Sequence, residues 1–111
     1  MFEYRIYQSV YDAMISRKKN IEVRLYNEKS EKIKPGDKIK FKVLDSDKYL
    51  IVMVTNKYIF DNVEKLWENK DVVLKSSMEL SKQEVINALY EIFGKEKVQN
   101  SKLVGIEFEI M

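Results

Sequence analysis

Apolar residues recur along this chain with two different periods, and the places where one gives way to the other mark out the expected elements. Residues 2–7 alternate as a short strand does. Val10, Tyr11, Met14 and Ile15 then recur at helical spacing, predicting a short helix that stops before Arg17. From Ile21 the period returns to two: Ile21, Val23 and Leu25 point one way and Glu22, Arg24 and Tyr26 the other. The expectation is a strand with one buried face and its charged residues on the opposite one. Residues 27–32 are polar with room for a helical turn, and Lys34, Pro35, Gly36 and Asp37 are residues a tight turn favours. In the strand after it, Lys38, Lys40 and Lys42 alternate with Ile39, Phe41 and Val43, giving a wet cationic face and an apolar one.

Asp45 to Asp47 reads as a loop, and residues 49–54 are nearly all apolar, as in a strand covered on both sides at the centre of a sheet. Residues 55–60 either continue it or pair beside it. Asp61 is placed to cap a helix with the stripe Val63, Leu66 and Trp67, ending at residues 69–71. Ser81 and Glu84 stand at capping-box spacing before Val85, Ile86, Leu89, Tyr90 and Phe93, and Gly94 stops that helix. Val104, Ile106, Phe108 and Ile110 alternate with charged residues in a closing strand. Strands interleaved with short helices predict an α+β fold, a strongly curled mixed sheet or small barrel flanked by helices. A doubly wound parallel sheet fits less well, since no glycine-rich phosphate loop follows any strand. No linker or repeat interrupts the pattern, so residues 1–111 read as one domain.

Composition narrows the chemistry. There is no cysteine and no histidine, which removes disulfides, thiolate metal sites, imidazole bases and the usual nitrogen ligands of zinc. No metal site and no cofactor are expected, and any catalysis has to use Lys, Asp, Glu, Thr, Ser or Tyr. The first twenty residues hold six charges and no continuous apolar run, so neither a signal peptide nor a membrane span is expected, and a cytoplasmic location is. The net charge is only +2, yet residues 1–42 hold 11 Lys or Arg against 6 Asp or Glu. That basic excess suits an anionic ligand and equally an ordinary lysine-rich surface.

The string Arg17-Lys18-Lys19-Asn20-Ile21-Glu22-Val23-Arg24, followed by Ile33 to Phe41 with its Gly36-Asp37 turn, resembles the ASCH domain family of the PUA-like superfamily, in particular its small stand-alone bacterial members. The family typically carries a glycine, a lysine, then a glutamate and an arginine on a strand, and a closing strand like Val104 to Phe108. The resemblance spans nearly the whole chain. It implies a PUA-like β-barrel with flanking helices, a cleft beside the strand that carries Glu22 and Arg24, and binding of RNA or a nucleoside or nucleotide. Here Arg17 stands where the family usually has glycine, and Asn20 where threonine is frequent. Some small bacterial members are amidohydrolases acting on N4-acetylcytidine. By that resemblance their catalytic lysine falls on Lys19 and their acidic residue on Glu84, while their threonine nucleophile falls on Glu22.

Three readings follow. The first is a binding module that holds RNA or a nucleotide-like ligand with Arg17, Lys18, Lys19, Asn20, Glu22, Arg24 and Tyr26. Arg24 would offer planar donors, Glu22 an acceptor for an exocyclic amine, and Tyr26 a stacking face. The second is a metal-independent amidohydrolase with Lys19, Glu22 and Glu84 as catalytic groups. The third is a protein-interaction domain without a small ligand. Each competes with a bland alternative: Glu22 and Arg24 as part of a solvated charged row, Glu84 as no more than a helix cap, and Lys38, Lys40 and Lys42 as the lysines that guard an edge strand.

Overall fold

The structure, a computed structural model, describes residues 1–77 and 81–111. Five strands, β1 (Phe2–Ile6), β2 (Ile21–Leu25), β3 (Lys38–Val43), β4 (Tyr49–Phe60) and β5 (Leu103–Ile110), form one mixed sheet in the order β1-β3-β4-β5-β2. Only β1 and β3 run parallel. The helices are α1 (Gln8–Ile15), α2 (Glu28–Lys32), α3 (Val63–Glu68), α4 (Lys70–Lys75), α5 (Lys82–Phe93) and α6 (Lys95–Gln99). The sheet curls into a half-barrel because β4 is long and bent. Residues 49–53 of β4 pair with β3 and residues 52–60 with β5, and a register shift between Val54 and Asn56 breaks the ladder as a β-bulge does.

Two apolar clusters cover the two faces. The larger fills the concave side and includes Tyr4, Ile6, Met14, Ile39, Phe41, Val52, Val104, Ile106 and Phe108. The smaller joins Leu25 and Leu103 to Val63, Leu66 and Val98, with Leu89 and Phe93 of α5 packed on it. Gly105 of β5 lies beside Ile21 and Val72: a Cβ there would meet Ile21 Cγ2 at 3.4 Å and Val72 Cγ1 at 3.6 Å, in ordinary contact.

Several expectations need correction. The first helix of the second half is capped by Asn62, whose side chain accepts from Lys65 N–H, and not by Asp61. Asn69 does end α3, but it also caps a further helix, α4, by accepting from Val72 N–H. Neither α4 nor α6 was anticipated. Both are short, and short helices depend on caps and packing more than on a long stripe. The 49–54 segment is central but not covered on both sides: Leu50, Val52 and Val54 are buried while Ile51 and Met53 are half-buried, which antiparallel pairing permits. The lysine strand β3 is not an edge. β1 pairs in parallel along its outer side, so Lys38, Lys40 and Lys42 sit on an interior strand, where Lys40 lies 4.5 Å from the Tyr49 ring centroid.

α1 ends in a Schellman arrangement, with Arg17 N–H bonded to the Met14 carbonyl and Lys18 N–H to that of Ala13, both at 3.0 Å. Arg17 takes the left-handed conformation this ending requires, with φ 64°. The turn geometry that favours glycine is therefore kept without glycine. An L-residue in that region costs about 1–2 kcal/mol, part of which glycine gives back as unfolded-state entropy. Arg17→Gly is expected to stabilise by about 0.5–1 kcal/mol and to raise the melting temperature by a few degrees. A lower melting temperature would mean that the Arg17 side chain contributes more than its backbone strain costs.

Candidate functional site

β2 turns its charged residues into the barrel. Glu22 pairs in register with Ile106 and Arg24 with Val104, and both partners belong to the concave core. Residues directly opposite in an antiparallel pair share a face, so Glu22 and Arg24 point inward while Ile21 and Leu25 are buried under the helices. The solvated charged row is thereby excluded. Glu22 is only 7% exposed and Lys19 only 9%.

The carboxylate of Glu22 lies between two cations. Its Oε2 accepts from Arg24 Nε at 2.9 Å and faces Arg24 Nη2 at 2.9 Å, and its Oε1 is 3.2 Å from Lys19 Nζ. Lys19 Nζ also donates to the Ser76 carbonyl at 2.9 Å, and Arg24 Nη2 to the Arg5 carbonyl at 2.7 Å. Buried charges persist only when paired and hydrogen-bonded, and here each has at least two partners.

The seam of the half-barrel, where the edges of β1 and β2 approach, is bridged by cationic side chains instead of a strand. Arg24 donates to the Arg5 carbonyl, and Lys29 of α2 to the Glu3 carbonyl, two residues apart on the same edge. Both cations also lie over the Tyr4 ring, at 4.8 Å for Arg24 and 4.0 Å for Lys29. Burial and the neighbouring Arg24 push the Lys29 ammonium below its ordinary pKa. Burial raises that of the Tyr4 hydroxyl, against the opposing pull of Arg24. This hydroxyl is buried and has no hydrogen-bond partner among the described residues. Removing an unsatisfied buried group without changing shape is neutral or stabilising, so Tyr4→Phe is expected to leave stability unchanged or raise it by about 1 kcal/mol at most, with the melting temperature as the readout. A clear loss of stability would reveal a partner for the hydroxyl.

Beside the seam lies a cleft of about 300 Å³. Glu22, Val23 and Arg24 line it from β2, Ile6 and Val10 from the first strand and helix, and Leu89, Ile92 and Phe93 from α5. Tyr7 and Ile92 also line it and remain 62% and 61% exposed. Apolar side chains with a few convergent polar groups are what small-molecule sites present.

The residues singled out from the sequence divide. Glu22 and Arg24 line the cleft. Arg17, Lys19 and Asn20 line a separate recess of about 240 Å³ with Met14 and Phe108, so the Lys19–Glu22 pair stands between the two. Lys18 is exposed. Tyr26 follows the end of β2 and is half-buried against the concave core, away from the residues that line the cleft. Glu84 is exposed on α5, where it closes the capping box by accepting from Ser81 N–H at 3.2 Å. Arg5, Tyr7 and the α5 residues were not anticipated as lining. Ile92 did carry a readable signal, being apolar at a helix position outside the inward stripe. Among the described residues no group of three or more His, Cys, Asp or Glu could hold a metal, and no helix is long and apolar enough to cross a membrane.

No family model and no curated protein matches this sequence. Solved structures do match. A hypothetical protein known from a crystal structure is 27% identical with a TM-score of 0.82, over 99% of this chain and 98% of its own. A Pyrococcus furiosus protein solved by NMR is 29% identical with a TM-score of 0.74, over 99% and 96%. The ASCH domain from Lactobacillus crispatus is 15% identical with a TM-score of 0.69, over 98% of this chain and 79% of that one. The chain has the fold of ASCH domains, a PUA-like curled mixed sheet flanked by helices.

Proposed function

We propose that this domain binds a nucleotide or single-stranded RNA, holding a base in the cleft above Glu22 and Arg24. One observation carries the reading: a guanidinium fixed at the edge of an apolar cleft still has donors to spare. Arg24 uses Nε and Nη2 on Glu22 and on the Arg5 carbonyl, which leaves both N–H groups of Nη1 without a partner among the described residues. Such a pair of donors suits the oxygen and nitrogen acceptors of a base edge, while Val23, Leu89 and Phe93 offer apolar surface to its faces. The fold likeness to ASCH domains supports this choice over a protein-interaction surface.

Hydrolysis of an acylated nucleoside is the weaker reading. Both oxygens of Glu22 already face a cation and the residue is only 7% exposed, which leaves a water little room to approach it for deprotonation. Glu84 is engaged in its capping box, and Lys19 lines the other recess.

The test is calorimetric titration of the purified protein with ribonucleosides, their 5′-monophosphates and a short single-stranded RNA. We expect binding to at least one of them, with RNA affinity falling steeply as salt rises. No binding of any at low salt would sink the proposal. Incubation with N4-acetylcytidine belongs in the same series: release of cytidine that disappears in Lys19→Ala would establish the hydrolase instead.

A further inference from the structure

We propose that Arg5 and Lys42 form a phosphate subsite that extends the cleft, so that the preferred ligand is a phosphorylated nucleoside or nucleotide unit and not a free nucleoside. This rests on the reading of the cleft as a nucleoside site.

The starting point is an unfavourable pairing. The parallel register of β1 and β3 places Arg5 opposite Lys42, and both side chains are exposed. Neighbouring strands lie about 5 Å apart and both residues line one recess, so two like charges share the same stretch of surface and repel. Nearby carboxylates relieve this only in part. Among the described residues the Arg5 guanidinium has no carboxylate partner, and Lys42 has only Glu3 at 4.0 Å with both side chains about half exposed. A phosphate between the two cations would offset the repulsion, taking planar donors from Arg5 and a point charge from Lys42.

The place for that phosphate is already shaped. A recess of about 200 Å³ is lined by Arg5, Lys42 and residues 43–46, and it shares Arg5 and Leu44 with the cleft. A ligand with its base over Arg24 therefore meets the recess directly, since Arg24 is tied to the Arg5 carbonyl. The Ser46 hydroxyl accepts from Lys48 N–H and keeps its own proton to donate. Asp45 lines the recess too and, with Glu3 beside Lys42, is one of two carboxylates a phosphate would meet there. It sits at φ 57°, a conformation that asparagine also tolerates, so its charge can be removed with little strain.

The experiment compares a nucleoside with its 5′-monophosphate on wild type, Lys42→Gln and Asp45→Asn, and follows inorganic phosphate separately by amide chemical shifts. Wild type should bind the monophosphate about tenfold more tightly than the nucleoside. Lys42→Gln should bring the two within about twofold without changing nucleoside affinity, and Asp45→Asn should widen the gap. Equal affinities in wild type, or a gap that survives Lys42→Gln, overturns the subsite. Phosphate that shifts the amides of residues 42–46 while no nucleoside binds would keep the subsite and overturn the base-binding cleft. Nucleoside binding without those shifts does the reverse. A short single-stranded RNA that binds more tightly than the monophosphate, with both weakened by Lys42→Gln, would identify the polymer backbone as the source of the phosphate.

Discussion

Replacing Glu22 by alanine is expected to destabilise the fold by about 3 kcal/mol, because it removes the anion from between two cations, one of them buried. Lys19 would keep only the Ser76 carbonyl as a partner while 9% exposed, and Arg24 only the Arg5 carbonyl. The cost comes from the uncompensated charge left behind and not from the worth of the pair itself. At this chain length such a loss lowers the melting temperature by about 10 °C or more. Lys19→Met should cost less, since Glu22 then retains both contacts from Arg24 and methionine fills similar space. The double variant Glu22→Ala, Lys19→Met should recover part of the loss. Thermal denaturation followed by circular dichroism checks all three. A melting temperature for Glu22→Ala within a degree or two of wild type would show that water reaches Lys19 freely, and the buried network would have to be abandoned. The expected size of the effect also matters for function: loss of ligand binding in Glu22→Ala reports on the site only where the variant is shown to be folded.

How far the site could be foreseen follows from what alternation encodes. A period of two sorts Glu22 and Arg24 from Ile21 and Leu25, and that much was legible. It does not say which face looks into the barrel. β2 is buried on both faces, through Ile21 and Leu25 on one and through Glu22, opposite Ile106 of the concave core, on the other, so apolar residues did not mark the inner side. The burial of Glu22 becomes intelligible only once Lys19 and Arg24 are seen to neutralise it, which depends on side-chain reach and not on period. Local signals fared better. The Ser81–Glu84 capping box and the stop at Gly94 bound α5, and the Pro35-Gly36 turn leads into β3. Pairing order was beyond local reading: β1 joins β3 across α1, β2 and α2, and that non-local choice makes β3 interior and places Arg5 beside Lys42. The cleft was hidden for the same reason, since its lining comes from residues 5–10, 22–24, 44 and 89–93.

Arg24→Ala is expected to weaken binding of the cleft's ligand by about 30-fold or more, the largest loss foreseen for a variant that still folds. The arginine does three things at once: it pairs with Glu22, holds the β1 edge through the Arg5 carbonyl, and lines the cleft with its Nη1 donors unused among the described residues. Truncation removes every donor assigned to the base and leaves Oε2 of Glu22 without its arginine partner. Charge-assisted hydrogen bonds are worth about 1.5–3 kcal/mol each when a ligand depends on them, which sets the scale of the loss. Stability should fall by less than in Glu22→Ala, since Glu22 still has Lys19 at 3.2 Å and Arg24 is itself partly exposed. Arg24→Lys separates charge from geometry. An ammonium can still neutralise Glu22, but it cannot hold Glu22 and the Arg5 carbonyl in one plane while presenting two further donors. The lysine variant should therefore melt close to wild type and still lose about tenfold in affinity. Calorimetric titration and thermal denaturation of the same preparations read both quantities. Full affinity in a folded Arg24→Ala would move the binding site away from the seam altogether, and full affinity in Arg24→Lys would reduce the role of Arg24 to its charge.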